Sequence, residues 1–572
     1  MRFAVVTLVF ATQKHRDDLA NVMIEVDRNS LFVIVFAAKL SPVLSTTTPM
    51  PRYDNERAIM TITFTNQFWT VTSGDLTDRR RPLQAPPMGE KPKDAKPIVI
   101  DPCQRHQPWI GAGAAITDAA ASLIWGSQSA QQRHALLDDM FNPDKGGFSV
   151  IRIPLGSCEP SSQPYYTYDD IPFGEQDRDL VRFSLGEGEP GAPDATKDYK
   201  YIIPVVQEIL SINPAVKIIA SPWTAPAWMK NTGHLCMGGH LRFNEWTGNG
   251  YDPLEDSVEG AYARYFARYI DEMEAIGIPI WAVTVQNEPS NAAPWPAMLW
   301  TLAQQADFAH RFLRPALDRR HAQVRIFIND DSGHCLTGPV DKDVTAEQAR
   351  SIDGLTLHTY DNDYPHLDYA NRVYPQWLYG MTERRCMLNQ TPEDAAHIMS
   401  GVIGNWLVRH GSSFITLWNM ALDERGLPNQ IGADGRRGVV TIDHGSGKVR
   451  RNLEYFMLRS FGQDVEPGSV VIDSSNYTPD GWSGSLGSVA FLAPDGSIAA
   501  HIYNPTGKPI KAAVTVNGWG DRWQSVTVPA WGTVTMHATT SERINDSAVP
   551  EDEDFALQLP EYTVDDKAPG QD

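Results

Sequence analysis

Apolar residues alternate between two rhythms through the middle of this chain. Short β-branched runs recur as VIRIP (150–154), KIIASPW (217–223), WAVTVQNEP (281–289), VRIFIND (324–330), LTLHTY (355–360) and FITLWNM (414–420). Between them lie segments with three- and four-residue spacing, as in Tyr262, Phe266, Tyr269 and Met273, which predict helices near residues 201–210, 262–275, 303–317 and 395–410. Strands separated by helices predict βα units and a parallel sheet closed as a barrel. An open, doubly wound sheet is the alternative, but no GxGxxG follows the first strand. The predicted strands end in polar or aromatic residues: Asn287 and Glu288, Asp330 and Asp331, His358 and Tyr360, Glu383, Trp418 and Asn419. In a parallel barrel such ends build the active site.

After residue 454 the texture changes to short alternating runs broken by Asp-Gly, Pro and Gly, the pattern of an antiparallel β-sandwich. The expected fold class is therefore α/β, a (β/α)8 barrel with an appended antiparallel β-sandwich. The expected boundaries are an N-terminal segment of uncertain order over 1–54, strand and linker over 55–105, barrel over 106–453, sandwich over 454–541 and an acidic tail over 542–572. Residues 58–71 read as a strand that joins the sandwich, and the Pro- and Lys-rich residues 79–96 as a loop. Apolar runs at 3–11 and 31–38 resemble leader cores without a clean cleavage site. Localisation stays open, with export favoured over the cytoplasm.

Composition narrows the function. The chain has 572 residues, 70 acidic against 49 basic, and a net charge of −21, a field that repels phosphate backbones and argues against nucleic acid as partner. No apolar run is long enough for a membrane span. Five cysteines, few and odd in number and without a CxxC pair, argue against a disulfide scaffold or a zinc ribbon. His234, Cys236 and His240 in a Gly-rich stretch look like metal ligands only superficially, and neither a metal nor a cofactor is expected. Asp330 and Asp331 read as a solvated loop start, since neighbours on a strand point apart.

Glu288 and Glu383 are the candidates for chemistry, each closing an apolar run. Two carboxyl groups with separate tasks, one giving a proton and one attacking or supporting the anomeric carbon, break an acetal bond. An ordinary rim salt bridge is the alternative.

Eight segments, GAGAAITDAAA (111–121), VIRIPLGSCEP (150–160), YYTYDD (165–170), SPWTAPAWMK (221–230), QNEPS (286–290), LHTY (357–360), MTERRC (381–386) and LWNMALDERGLPN (417–429), together resemble the glucosylceramidase family, glycoside hydrolase family 30, in the family's order. The resemblance covers residues 109–540. It implies a barrel with a β-sandwich beside it and a retaining mechanism, with Glu288 as acid/base and Glu383 as nucleophile. A retaining mechanism needs the two carboxyls about 5–5.5 Å apart. The resemblance also implies a sugar pocket of Asp118, Trp223, Asn287, Tyr360, Trp418 and Asn419, with His358 as a further candidate. In it Asp118 would take sugar hydroxyls (or cap the following helix), Asn287 would hold the 2-hydroxyl, Tyr360 would hold the nucleophile, and the tryptophans would form apolar walls. The implied substrate is a β-linked glycoside, glycolipid or polysaccharide. The implied activity is β-glucosidic cleavage as in glucosylceramidase, with endo-β-1,6-glucanase, β-xylosidase, β-fucosidase or β-1,6-galactanase as alternatives within the family. A non-catalytic carbohydrate-binding protein is the alternative of another class. The acid role requires a raised pKa at Glu288 and an optimum at mildly acidic pH. Three features depart from the family pattern: Arg384 and Arg385 where small residues are usual, Thr359 for an aromatic, and GAGAA for a more Gly-rich turn.

Overall fold

The computed structural model describes residues 63–70, 80–82 and 87–539, apart from 246–251, 334–335, 337, 362–364, 479–483 and 519–520. The leader-like runs at 3–11 and 31–38 and the acidic tail lie outside the described residues. Eight parallel strands close a barrel: β1 (Gly111–Ala115), β2 (Val150–Pro154), β3 (Lys217–Ser221), β4 (Ala282–Thr284), β5 (Arg325–Ser332), β6 (Gly354–His358), β7 (Leu378–Glu383) and β8 (Ser412–Leu417). Each pairs with the next, and β8 closes on β1.

Side chains two residues apart on a strand face the same way, so the barrel interior can be read upward from its base. Val150, Ile219, Ala282, Phe327 and Phe414 form an apolar plug. Two residues further along their strands stand Arg152, Ser221, Thr284, Asn329 and Thr416, all buried. The polar layer thus rests on an apolar floor and faces the C-terminal end. Gly380 permits the floor to fill, because a Cβ there would lie 2.2 Å from the Phe414 ring. GAGAA is a barrel strand rather than a turn. Its small residues let neighbouring backbones approach closely: a Cβ on Gly113 would sit 1.8 Å from the Val150 carbonyl oxygen.

A second sheet of nine strands takes Thr63–Thr70, Arg80–Pro82 and Lys96–Pro108 from before the barrel and six strands from Val470 onward. It is antiparallel except where Lys96–Pro108 runs beside Ile510–Val516 in parallel. Arg80–Pro82 pairs with Gln67–Trp69, so the stretch expected as a loop contributes a short edge strand where main-chain partners are on offer. The helix Leu453–Gly462 packs on β1. Buried Trp109 joins the two parts, with its ring against Phe461 and Phe491 and its indole N–H donating to the Phe461 carbonyl. Among the described residues no helix is long and apolar enough to cross a membrane.

Candidate active site

The strand ends bring Glu288 and Glu383 together. One oxygen of each, with a ring nitrogen of His358, lies within 4.8 Å of the others. β7 carries a register shift between Met381 and Glu383, and β5 one between Asn329 and Asp331. Bulges of this kind re-aim side chains at a barrel rim. Glu288, Asn329, Asp330 and Asn419 all have positive φ, a strained conformation for such residues that clusters here at the strand ends.

The two glutamates sit in unlike surroundings. Glu383, with 5% of its side chain exposed, accepts from the Tyr360 hydroxyl on Oε1 (2.7 Å) and from Arg152 Nη1 on Oε2 (2.7 Å). Burial and the Glu383 charge push the Tyr360 hydroxyl well above its ordinary pKa, so it stays a donor. Glu288 is more open, at 19%, with Asn291 donating to Oε2 and His358 Nδ1 3.4 Å from Oε1. Burial raises the Glu288 carboxyl, but the bond and charge of His358, then Asn291 and Arg152, outweigh it, and the net shift is downward. This reverses the expected elevation. The cause is a cation that sequence position alone does not show: carboxylates on both sides raise His358 to about 10 against the penalty of burial.

Arg152 organises the floor of the site. Wholly buried, it donates to Glu383, to Asn287 Oδ1 (2.6 Å), to Asp330 Oδ2 (2.8 Å) and to Ser221 Oγ (3.0 Å), and its guanidinium lies 4.8 Å from the Trp223 ring. Asp330 is fully buried and also accepts from Thr284 and Thr382, with His358 Nε2 3.3 Å away. It is not a solvated loop start: the β5 bulge turns it into the barrel, and Arg152 and His358 hold it well below the usual carboxylate range against burial. Asp331 is buried too, accepting from the Ser290 N–H and hydroxyl.

Trp223 and Trp418 are buried and stacked on each other at 5.2 Å, with half-buried Trp295 beside them. Trp223 Nε1 donates to Glu159, which is clamped by Arg436 Nη1 (2.6 Å). The Trp418 indole nitrogen and Asn419 Nδ2 are buried without a protein partner, although Asn419 Oδ1 accepts from Thr117. Unpaired buried donors are uncommon and call for a ligand or water.

Asp118 departs from its expected part. It is 1% exposed, and its carboxylate already accepts from Ser161 Oγ, from Ser162 N and Oγ, and from Gln163 Nε2. A sugar hydroxyl reaches it only if residues 161–163 withdraw. Nor does it cap the helix Asp118–Gly126; Thr117 does, accepting from the Ala120 N–H.

Arg152, Glu159 and Arg436 were not singled out from the sequence, and Asp330 was read only as a loop start. A lone arginine inside the β-branched VIRIP was a usable signal. Glu159 and Arg436 are 277 positions apart, and nothing local links them. Metal ligation fits this site poorly. His358 faces carboxylates through both nitrogens, and the Glu383 oxygen that faces it, Oε1, already accepts from the Tyr360 hydroxyl. His234, Cys236 and His240 are not among the metal-capable groups of the described residues; the His240 ring meets Asn231 and the Leu241 carbonyl instead.

Known proteins resemble this chain in sequence and in fold. Residues 110–434 match the glycosyl hydrolase family 30 TIM-barrel domain and residues 468–536 the family 30 beta sandwich domain. An endo-1,6-beta-D-glucanase of Trichoderma harzianum is 30% identical over 72% of this chain and 81% of its own. The lysosomal acid glucosylceramidase of Mus musculus is 27% identical over 73% and 79%. Among solved structures, the endo-beta1,6-glucanase BT3312 superposes with a TM-score of 0.69 at 25% identity, covering 83% of this chain and 98% of that one. SrfJ from Salmonella typhimurium superposes with a TM-score of 0.70 at 24% identity, covering 83% and 99%. With its barrel, its second sheet and its paired rim glutamates, the chain belongs to glycosyl hydrolase family 30 and is a glycoside hydrolase.

Proposed function

We propose that this chain is a retaining β-glycosidase that cleaves β-linked glucosyl units, with β-1,6-linked glucan as the favoured substrate. The observation that supports the mechanism is that one oxygen of Glu288 and one of Glu383 lie within 4.8 Å of each other, an approach that fits the short carboxyl spacing of a double displacement. Glu383, ionised and aimed by Tyr360 and Arg152, attacks the anomeric carbon and forms a glycosyl ester. Glu288, protonated, gives its proton to the departing oxygen and then takes one from the water that cleaves the ester. With the Glu288 carboxyl held low by His358, the productive protonation state is filled at acidic pH.

The linkage preference is supported by the glucanase relatives at 28% and 30% identity over 86% and 81% of their lengths. A second reading, glucosylceramide as substrate, is favoured by the position of five large exposed apolar residues. Phe173, Val181, Met237, Leu388 and Ile431 all lie on segments that follow barrel strands at the catalytic end, where a lipid aglycone would emerge. Hydrolysis of β-1,6-glucan and of glucosylceramide, assayed side by side with an aryl β-glucoside, decides between them. Glu383→Gln is expected to lose about 10⁴-fold or more in kcat. Glu288→Gln is expected to lose about 10²–10⁴-fold, and less on aryl glucosides whose leaving group needs no proton. Retained turnover in Glu383→Gln ends the proposal.

A further inference from the structure

The arginine pair after Glu383 has a place in the site that the reaction itself does not use. Arg384 and Arg385 both approach the ring of Tyr360, with guanidinium carbons 5.5 and 5.0 Å from its centre, and the Arg385 N–H donates to the Tyr360 hydroxyl that in turn holds Glu383. Arg384 is drawn inward, donating to the Thr359 carbonyl, whereas Arg385 is exposed. The other arginines around the site are neutralised: Arg152 by Asp330 and Glu383, Arg436 by Glu159 and Asp434, Arg437 by Glu454. Among the described residues neither Arg384 nor Arg385 forms an ion pair. In a chain of net charge −21, two uncompensated cations at this spot are a local inversion of the field.

Their location sets which part of a substrate they meet. The sugar under attack would lie against the buried wall of Trp223 and Trp418, which are 2% and 1% exposed. An exposed side chain on the rim beside Glu383 is open to what lies outside that hollow, where the leaving group departs. A guanidinium resting on an aromatic face has less freedom to lose, and its remaining donors form a planar fork that matches a carboxylate.

We propose that Arg385, backed by Arg384, is a specificity residue that recognises a carboxylate on the leaving-group side of the cleaved bond, so that among small β-glucosides of the same glycone those with an acidic aglycone bind more tightly than those with a neutral one. This rests on the glycosidase reading above, and the test separates the two. The affinity of phenyl 1-thio-β-glucoside is compared with that of its 4-carboxyphenyl counterpart by titration calorimetry, on the wild type, Arg385→Gln and Arg385→Lys, and hydrolysis of the matching O-glycosides is followed in parallel. The wild type is expected to bind the carboxylated ligand about fivefold more tightly at low salt. The preference is expected to vanish in Arg385→Gln, to survive in part in Arg385→Lys, and to collapse in about 1 M salt, where screening acts over about 3 Å. Equal affinities in the wild type, or a preference that persists in Arg385→Gln, overturn the inference. Turnover of the O-glycosides without a preference spares the glycosidase reading; a preference without turnover spares only this one.

Discussion

Two buried aspartates in this barrel have opposite acidities. Asp330, in the floor of the site, sits beside the Arg152 guanidinium and His358 and is held far below the ordinary carboxylate range. Asp198, in the helical turn Lys197–Lys200, accepts only from the hydroxyls of Tyr166 (2.6 Å) and Tyr168 (2.7 Å), and burial lifts it to about 7. Both have no exposed surface. Burial penalises the charged form at each; what differs is that Arg152 and His358 flank Asp330 directly, whereas Asp198 is bonded by neutral hydroxyls with only a weaker pull from the Lys197 charge. The site spends a buried ion cluster on keeping carboxylates ionised, while the neighbouring loop anchor tolerates a proton.

The sharpest way to break this contrast is Arg152→Met, which leaves Asp330 and Glu383 buried without their counter-charge. Urea denaturation near neutral pH is expected to show a loss of about 3–5 kcal/mol. A loss below about 1 kcal/mol would mean that the cluster is not compensated by this arginine. Asp198→Asn probes the other side. A folded-state pKa raised above the ordinary 3.8 to about 7 means that the folded protein keeps the proton longer than the unfolded chain. Asp198 therefore lowers stability as pH climbs from about 4 to about 7. The variant is expected to gain on the wild type in melting temperature as pH rises from about 4 to about 7, and a pH-independent difference would refute the assignment. The sign at Asp330 is the reverse: its lowered pKa supports the fold above the ordinary carboxylate range, and that support is lost in strong acid.

A smaller effect is expected from His358→Gln. The cation at His358 is what turns the Glu288 shift downward, so its removal leaves burial in control and raises the Glu288 pKa. Glu288 then stays protonated to higher pH, and the alkaline limb of kcat/KM moves upward in the variant. An unmoved or downward limb would show that His358 is neutral in the working enzyme.

Much of this was legible along the chain, and the limits of legibility are physical. Alternating β-branched runs and helical spacings determined the barrel, since a strand buried on both faces must be apolar whatever its neighbours. Polar residues at the strand ends pointed to Glu288, Asn287, Glu383, His358, Tyr360, Trp418 and Asn419, because those ends share one rim. Tertiary structure alone decided the charge states. The Glu288 carboxyl moves down rather than up because Arg152 and His358, 136 positions before it and 70 after it, converge on the same floor. Asp330 enters the barrel because β5 bulges against β6, a register event that depends on the partner strand. Asp118 is occupied because residues 161–163 fold over it. Periodicity is a property of neighbours in sequence, whereas an electrostatic field and a closed hydrogen-bond shell are properties of neighbours in space.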